Sequence, residues 1–75
     1  MNMDKIVAPW TPSQVASLNA FQKSQHFQPI TNRKDNGEEV PLIATEDGWV
    51  ECYGGPVLWT WAYAWMADWS WRELY

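Results

Sequence analysis

Apolar residues recur every third position at Val15, Leu18 and Phe21, a narrow stripe along one side of a helix. The residues ahead of the stripe supply a start signal. Thr11 suits the N-cap, Pro12 the first helical position, and Gln14 stands three residues after the cap to complete a capping box. Trp10 before the cap and Val15 at the fourth helical position have the spacing of a hydrophobic staple. The pattern predicts a helix over 12–24, preceded by a flexible arm over 1–10 that ends in Ala8-Pro9-Trp10.

The middle of the chain changes period. His26 to Thr31 reads as extended, because Pro29 biases Gln28 away from helix. Asn32 to Gly37 has the composition of a turn. The runs VPLIAT and WVECY flank Glu46-Asp47-Gly48, and β-branched and aromatic residues around an Asp-Gly pair predict a β-hairpin over 41–53. Pro41 cannot donate to a ladder, so the first strand is expected to start there or to lie on an edge. Gly54-Gly55-Pro56 ends the second strand and is too short for a phosphate loop.

Val57 to Tyr75 contains no Gly or Pro, and a helix is predicted over 57–73. Projected at about 100° per residue, Leu58, Trp61, Ala62, Trp65 and Trp69 share a stripe with Met66 at its margin. Trp59 and Tyr63 fall on a second flank and Trp71 nearly opposite. The order is helix, hairpin, tryptophan-rich helix: one small α+β domain over 1–75. Its expected core is Val15, Leu18, Phe21, Ile43, Val50, Leu58, Trp61, Trp65 and Trp69.

Composition sharpens this picture. The 75 residues suffice for one domain with a marginal core. A content of 47% hydrophobic and 16% aromatic residues excludes disorder. The lone Cys52 closes no intramolecular disulfide, and one cysteine with one histidine makes a poor zinc site, so no metal and no cofactor is expected. There are seven tryptophans. At about 150–250 Å² each, they carry roughly 1,000–1,700 Å² of surface, and side chains on three sides of one helix cannot all face a single small core. Trp59, Tyr63, Trp71 and Tyr75 are therefore expected at the surface, as an aromatic patch that binds a partner protein. Self-association into a homodimer through the tryptophan stripe is the alternative.

Charge narrows the choice of partner. Nine acids against five bases give a net charge of −4, which argues against direct nucleic-acid binding. The single basic pair, Arg33-Lys34, lies in an acidic loop. Asp35, Glu38, Glu39, Glu46, Asp47 and Glu51 gather around the hairpin. Glu46, Asp47 and Glu51 are assigned to the partner-binding surface, where charge complementarity orients the encounter or imitates phosphates. Their plainer role is a solvated loop. A membrane surface is disfavoured because Asp68 and Glu73 outnumber Arg72 on the last helix's polar face. The longest apolar stretch, Val57 to Ala67, is eleven residues broken by Thr60, against about 20 for a bilayer-crossing helix. With no signal-peptide pattern, a cytoplasmic location is expected. Catalysis finds no support. Glu46-Asp47 is turn chemistry, and Cys52 with His26 lacks an orienting group.

Two stretches, PWTPSQVASLNAFQ and LIATEDGWVECY, resemble a family of small proteins found mostly in bacteriophages and actinobacteria. The family opens with Pro-Trp-Thr-Pro-x-Gln-Val-x-x-Leu-Asn and continues to Phe-His-Pro-Phe-Thr-Cys. Thr-Glu-Asp-Gly-Trp-Val-Cys-x-x-Cys and a Trp-Ala-bearing helix follow. The resemblance covers residues 9 to about 66 and implies a zinc-ribbon-like fold with no assigned activity. This chain departs from it at the ligands: the family's cysteines fall on Asn32, Glu51 and Gly54. The resemblance therefore implies the scaffold without the metal, and loses a folding contribution on the order of 10 kcal/mol that the added tryptophans would have to replace. Small acidic phage proteins often inhibit host machinery, so the resemblance is in keeping with a non-enzymatic accessory protein in a host cytoplasm that inhibits a host or defence (anti-CRISPR-like) nucleic-acid-handling protein, and it identifies no target.

Overall fold

The structure of the protein, a computed structural model, describes residues 4–74. Helix α1 (Pro12–Lys23) starts where its capping residues dictate. Thr11 Oγ1 accepts from the Gln14 amide at 3.2 Å, and Gln14 Oε1 accepts from the Thr11 amide at 2.8 Å, closing the capping box. Its inner side buries Ser17, Leu18 and Phe21, with Val15 half-buried beside them.

Three antiparallel strands lie against α1: β2 (Thr31–Arg33), β3 (Glu39–Thr45) and β4 (Gly48–Glu51), in that spatial order. The hairpin pairs Thr45 with Gly48, Ala44 with Trp49, Ile43 with Val50 and Leu42 with Glu51. Strand β3 begins two residues earlier than expected, and Pro41 lies inside the central strand, not at its start or on an edge. The position tolerates proline because its missing N–H would face Cys52, one residue past the end of β4. Only the reciprocal bond forms, from the Cys52 amide to the Pro41 carbonyl at 3.0 Å. The alternation along β3 turns Val40, Leu42 and Ala44 inward. Ile43, expected in the core, is therefore left 38% exposed, whereas Val50 is buried as expected.

Past Ile30 the outer edge of β3 has no strand beside it, and α1 supplies side chains instead. Asn19 clasps Ala44, donating to its carbonyl at 3.0 Å and accepting from its amide at 2.8 Å. Gln22 donates to the carbonyls of Ile30 and Leu42 at 2.8 and 2.9 Å and accepts from the Ile30 amide at 2.9 Å. Buried backbone groups that a strand would have paired are thus satisfied by amides on the helix.

The C-terminal part differs most from expectation. No helix spans 57–73. Residues 57–60 run beside β4, with Trp49 and Trp59 exchanging backbone contacts (Trp49 amide to Trp59 carbonyl, 2.8 Å; Leu58 amide to Trp49 carbonyl, 2.8 Å). The approach is close enough that a Cβ at Gly48 would collide with the Trp59 carbonyl oxygen and meet Val57 Cγ1 at 2.9 Å. Strand β5 (Trp61–Tyr63) then pairs antiparallel with β1 (Lys5–Val7), so part of the expected arm is a strand. One helical turn, α2 (Ala64–Ala67), and a 3-10 helix (Ser70–Leu74) complete the chain. Local composition permits this, since Val57 to Tyr63 is dense in β-branched and aromatic residues that favour a pleated surface, and pairing with β4 and β1 settles it. At Trp69 the backbone takes φ +69°, which ends α-helical geometry outright. The class remains α+β, with helix, hairpin and C-terminal helical turns in the expected order.

Candidate partner-binding cleft

Along 57–63 the exposure is uneven. Ala62 points into the core, whereas Val57, Trp59 and Trp61 are 40%, 41% and 38% exposed. Val7, the Trp61 partner on β1, is 65% exposed. Of these exposed residues, Trp59 and Trp61 border a cleft of about 340 Å³. Trp59, Trp61, Tyr63, Trp65 and Met66 line it from the C-terminal part, and Phe21, Gln28 and Ile30 from the other side, with Trp49 between. Gln28 is the single amide side chain among the lining residues, and Tyr63 adds a hydroxyl.

Its walls are fixed from outside. Trp49 Nε1 donates to the Trp61 carbonyl at 3.1 Å, and Trp65 packs edge-on against Phe21 with ring centroids 5.6 Å apart. Trp61 meets Tyr63 edge-on at 5.3 Å, and the Lys5 ammonium lies 4.6 Å from the Trp61 ring centroid. On α1, Ser17 donates to the Met66 carbonyl at 2.7 Å.

The expected site residues separate into two groups. Trp59 and Tyr63 sit at the cleft, exposed and half-buried respectively. Trp71 does not: it is 4% exposed, packed edge-on to Phe21, and its Nε1 donates to Ser17 Oγ at 3.1 Å. Trp69's left-handed backbone turns the chain back, so Trp71 swings onto α1. Tyr75 lies outside the described residues. Trp61, assigned to the core by helical projection, is instead a cleft residue, because a strand places it opposite Ala62. Leu18 and Phe21 are buried as expected, while Leu58, Trp65 and Trp69 are half-buried against the core.

The acids do not form one patch. Glu46 and Asp47 are exposed at the β3–β4 turn. Glu51 is at the hairpin's opposite end, where it forms an ion pair with Lys34 and accepts from Asn32 Nδ2 at 3.4 Å. The Lys34 ammonium, with a further hydrogen bond from Asn32, holds the Glu51 carboxyl below the ordinary carboxylate range. Its side chain is 17% exposed and already paired, so it is not an outward-facing acid.

Asn32 and Glu51 meet as an amide and a carboxylate. Cys52 is exposed, and no group of three His, Cys, Asp or Glu side chains among the described residues could hold a metal ion. This donor set does not fit a structural zinc. No described helix is long and apolar enough to cross a membrane.

Helical projection also missed Val7, Gln28, Ile30, Ser17 and Gln22. The period-two run Val57, Trp59, Trp61, Tyr63 was the signal that identifies the extended segment. The polar α1 residues carry no comparable signal, since Asn, Gln and Ser on a helix ordinarily face solvent. No protein-family model, curated protein or solved structure matches the chain.

Proposed function

We propose that the chain is a non-enzymatic binding module whose partner is a protein with a basic surface, seating one large apolar side chain in the aromatic cleft. The observation that carries this reading is the cleft itself: exposed indoles at Trp59 and Trp61 beside a concave apolar space. Its size lies near the small end of the about 300–1,000 Å³ of ligand clefts, which suits a single anchor side chain. Exposed tryptophans flanking such an anchor are the residue type that most often dominates interface energetics. The basic partner follows from charge. The net charge is −4, Lys34 is spent in an ion pair, and Lys5 and Arg72 lie over tryptophan rings. Proteins that handle nucleic acid present such basic surfaces, and an inhibitor of one, acting in a host cell, is in keeping with the resemblance to phage proteins.

The test is capture from a bacterial lysate by the wild type and by Trp59→Ala/Trp61→Ala. The variant should lose its bound proteins, and recovery on the wild type should fall with added salt. Equal recovery on both overturns the cleft as the contact. A tight dimer by light scattering at micromolar concentration, with blue-shifted tryptophan emission that the double variant abolishes, replaces this reading with self-association.

A further inference from the structure

We infer that Gln22, which does not line the cleft, sets the size of the apolar group the cleft admits; this rests on the cleft being the binding site. Ile30 and Leu42 are placed to exchange two direct backbone bonds, but only one forms, from the Leu42 amide to the Ile30 carbonyl at 3.1 Å. The Gln22 amide is inserted at the other. Its Oε1 takes the Ile30 N–H at 2.9 Å while its Nε2 donates to the Leu42 and Ile30 carbonyls at 2.9 and 2.8 Å. Both Ile30 backbone groups therefore end on one side chain of α1, which holds the Gln28–Ile30 wall at a fixed separation from β3. That wall faces Trp59 and Trp61 across the cleft.

A side-chain amide bound at two points fixes position more narrowly than apolar contact, because both donor and acceptor directions must be met. Losing it leaves the Ile30 amide and the Leu42 carbonyl free to re-pair or to separate, and the wall is no longer held. Gln22 is thus a positioning residue, and its signature is selectivity, not merely stability.

The seven indole N–H signals in a nitrogen–proton spectrum provide the readout. The intact protein is titrated with benzyl alcohol and with the bulkier biphenylmethanol. In the wild type, benzyl alcohol should shift the signals of Trp59, Trp61 and Trp65 and leave those of Trp10 and Trp71 in place. It should bind at least about fivefold better than biphenylmethanol, about one kcal/mol of discrimination. In Gln22→Met, which keeps length and loses every hydrogen bond, that preference should fall towards one. If this variant does not fold, Gln22→Glu serves the same titration, keeping the acceptor for Ile30 and losing the two donations. A preference unchanged in a folded variant, or no preference in the wild type, overturns the role of Gln22 and leaves the cleft reading standing. Failure of both probes to shift any cleft indole in the wild type overturns the cleft reading itself.

Discussion

Replacing Ser17 with alanine removes one oxygen atom and leaves three backbone or side-chain groups without their partner. The hydroxyl donates to the Met66 carbonyl at 2.7 Å, and accepts from the Trp69 amide and from Trp71 Nε1, each at 3.1 Å. One proton and two lone pairs are all a serine has, so its capacity is filled. Ser17 is completely buried, and water has no route to substitute. A buried group stripped of its partner costs about 1–3 kcal/mol. With three groups affected, and the half-buried Trp69 weighing least, Ser17→Ala should lose about 3–5 kcal/mol. Total stability for 75 residues is on the order of 4–11 kcal/mol, so the loss takes a large share of it. Urea unfolding followed by tryptophan emission reads it directly. At a slope near 1 kcal/mol per M, the midpoint should fall by about 3–5 M with the slope unchanged. A double-mutant cycle isolates one arm. Trp71→Phe deletes the matching donor, so it should cost at least about 1 kcal/mol less in the Ser17→Ala background than in the wild type. A Ser17→Ala loss under about 1 kcal/mol, or strict additivity with Trp71→Phe, would refute the hub and with it the account of how the C-terminal segment is held.

Two further outcomes are expected. Because Lys34 and Asn32 depress the folded-state pKa of Glu51, its stabilisation is present above the ordinary value near 4.5 and is lost as pH falls through the lower folded value. Wild type should exceed Glu51→Gln in stability at neutral pH, and the gap should close on acidification below that ordinary value; a gap independent of pH from neutral to strongly acidic contradicts the pairing. At Trp69, where φ is +69°, Trp69→Gly should be more stable than Trp69→Ala by about 1 kcal/mol in urea midpoints, the reverse of the order inside a helix.

What could be read in advance divides by the range of the interaction. The α1 boundaries were legible because Thr11, Pro12 and Gln14 settle them within four residues, and the hairpin because Asp47-Gly48 forces a turn between two β-rich runs. The C-terminal helix was not, because absence of Gly and Pro permits a helix without requiring one. What decides Val57 to Tyr63 lies outside the segment: the unpaired side of β4 just before it, and the partner strand at Lys5–Val7, far away in sequence. Strand β1 is three residues long and has no pattern of its own. Assigning 57–63 to a helix exchanged the roles of Trp61 and Trp71, since helical and strand periods send them to opposite environments. Trp59 kept its place because it is outward under either period.

The polar side chains of α1 explain why the apolar surplus ends up where it does. Ser17, Asn19 and Gln22 are residue types that ordinarily face solvent on a helix, yet each lies in or beside the apolar stripe and reaches backbone of another element: Met66, Ala44, and the Ile30–Leu42 pair respectively. Asn19 and Gln22 close the edge of β3 past β2, so that edge offers no further strand a place to add. Ser17 draws Trp71 inward and fixes Met66. With the sheet edge capped and the last turn pinned, the segment 57–63 carries the exposed indoles, and Tyr53 on the preceding turn is exposed as well. Trp10, Trp49 and Trp71 are buried in the core, while Trp59 and Trp61 remain outside on a scaffold held from behind. The exposed aromatic surface is therefore a consequence of how α1 satisfies its neighbours. Substitutions at Ser17 or Gln22, neither of which lines the cleft, should alter that surface as surely as substitutions at the indoles themselves.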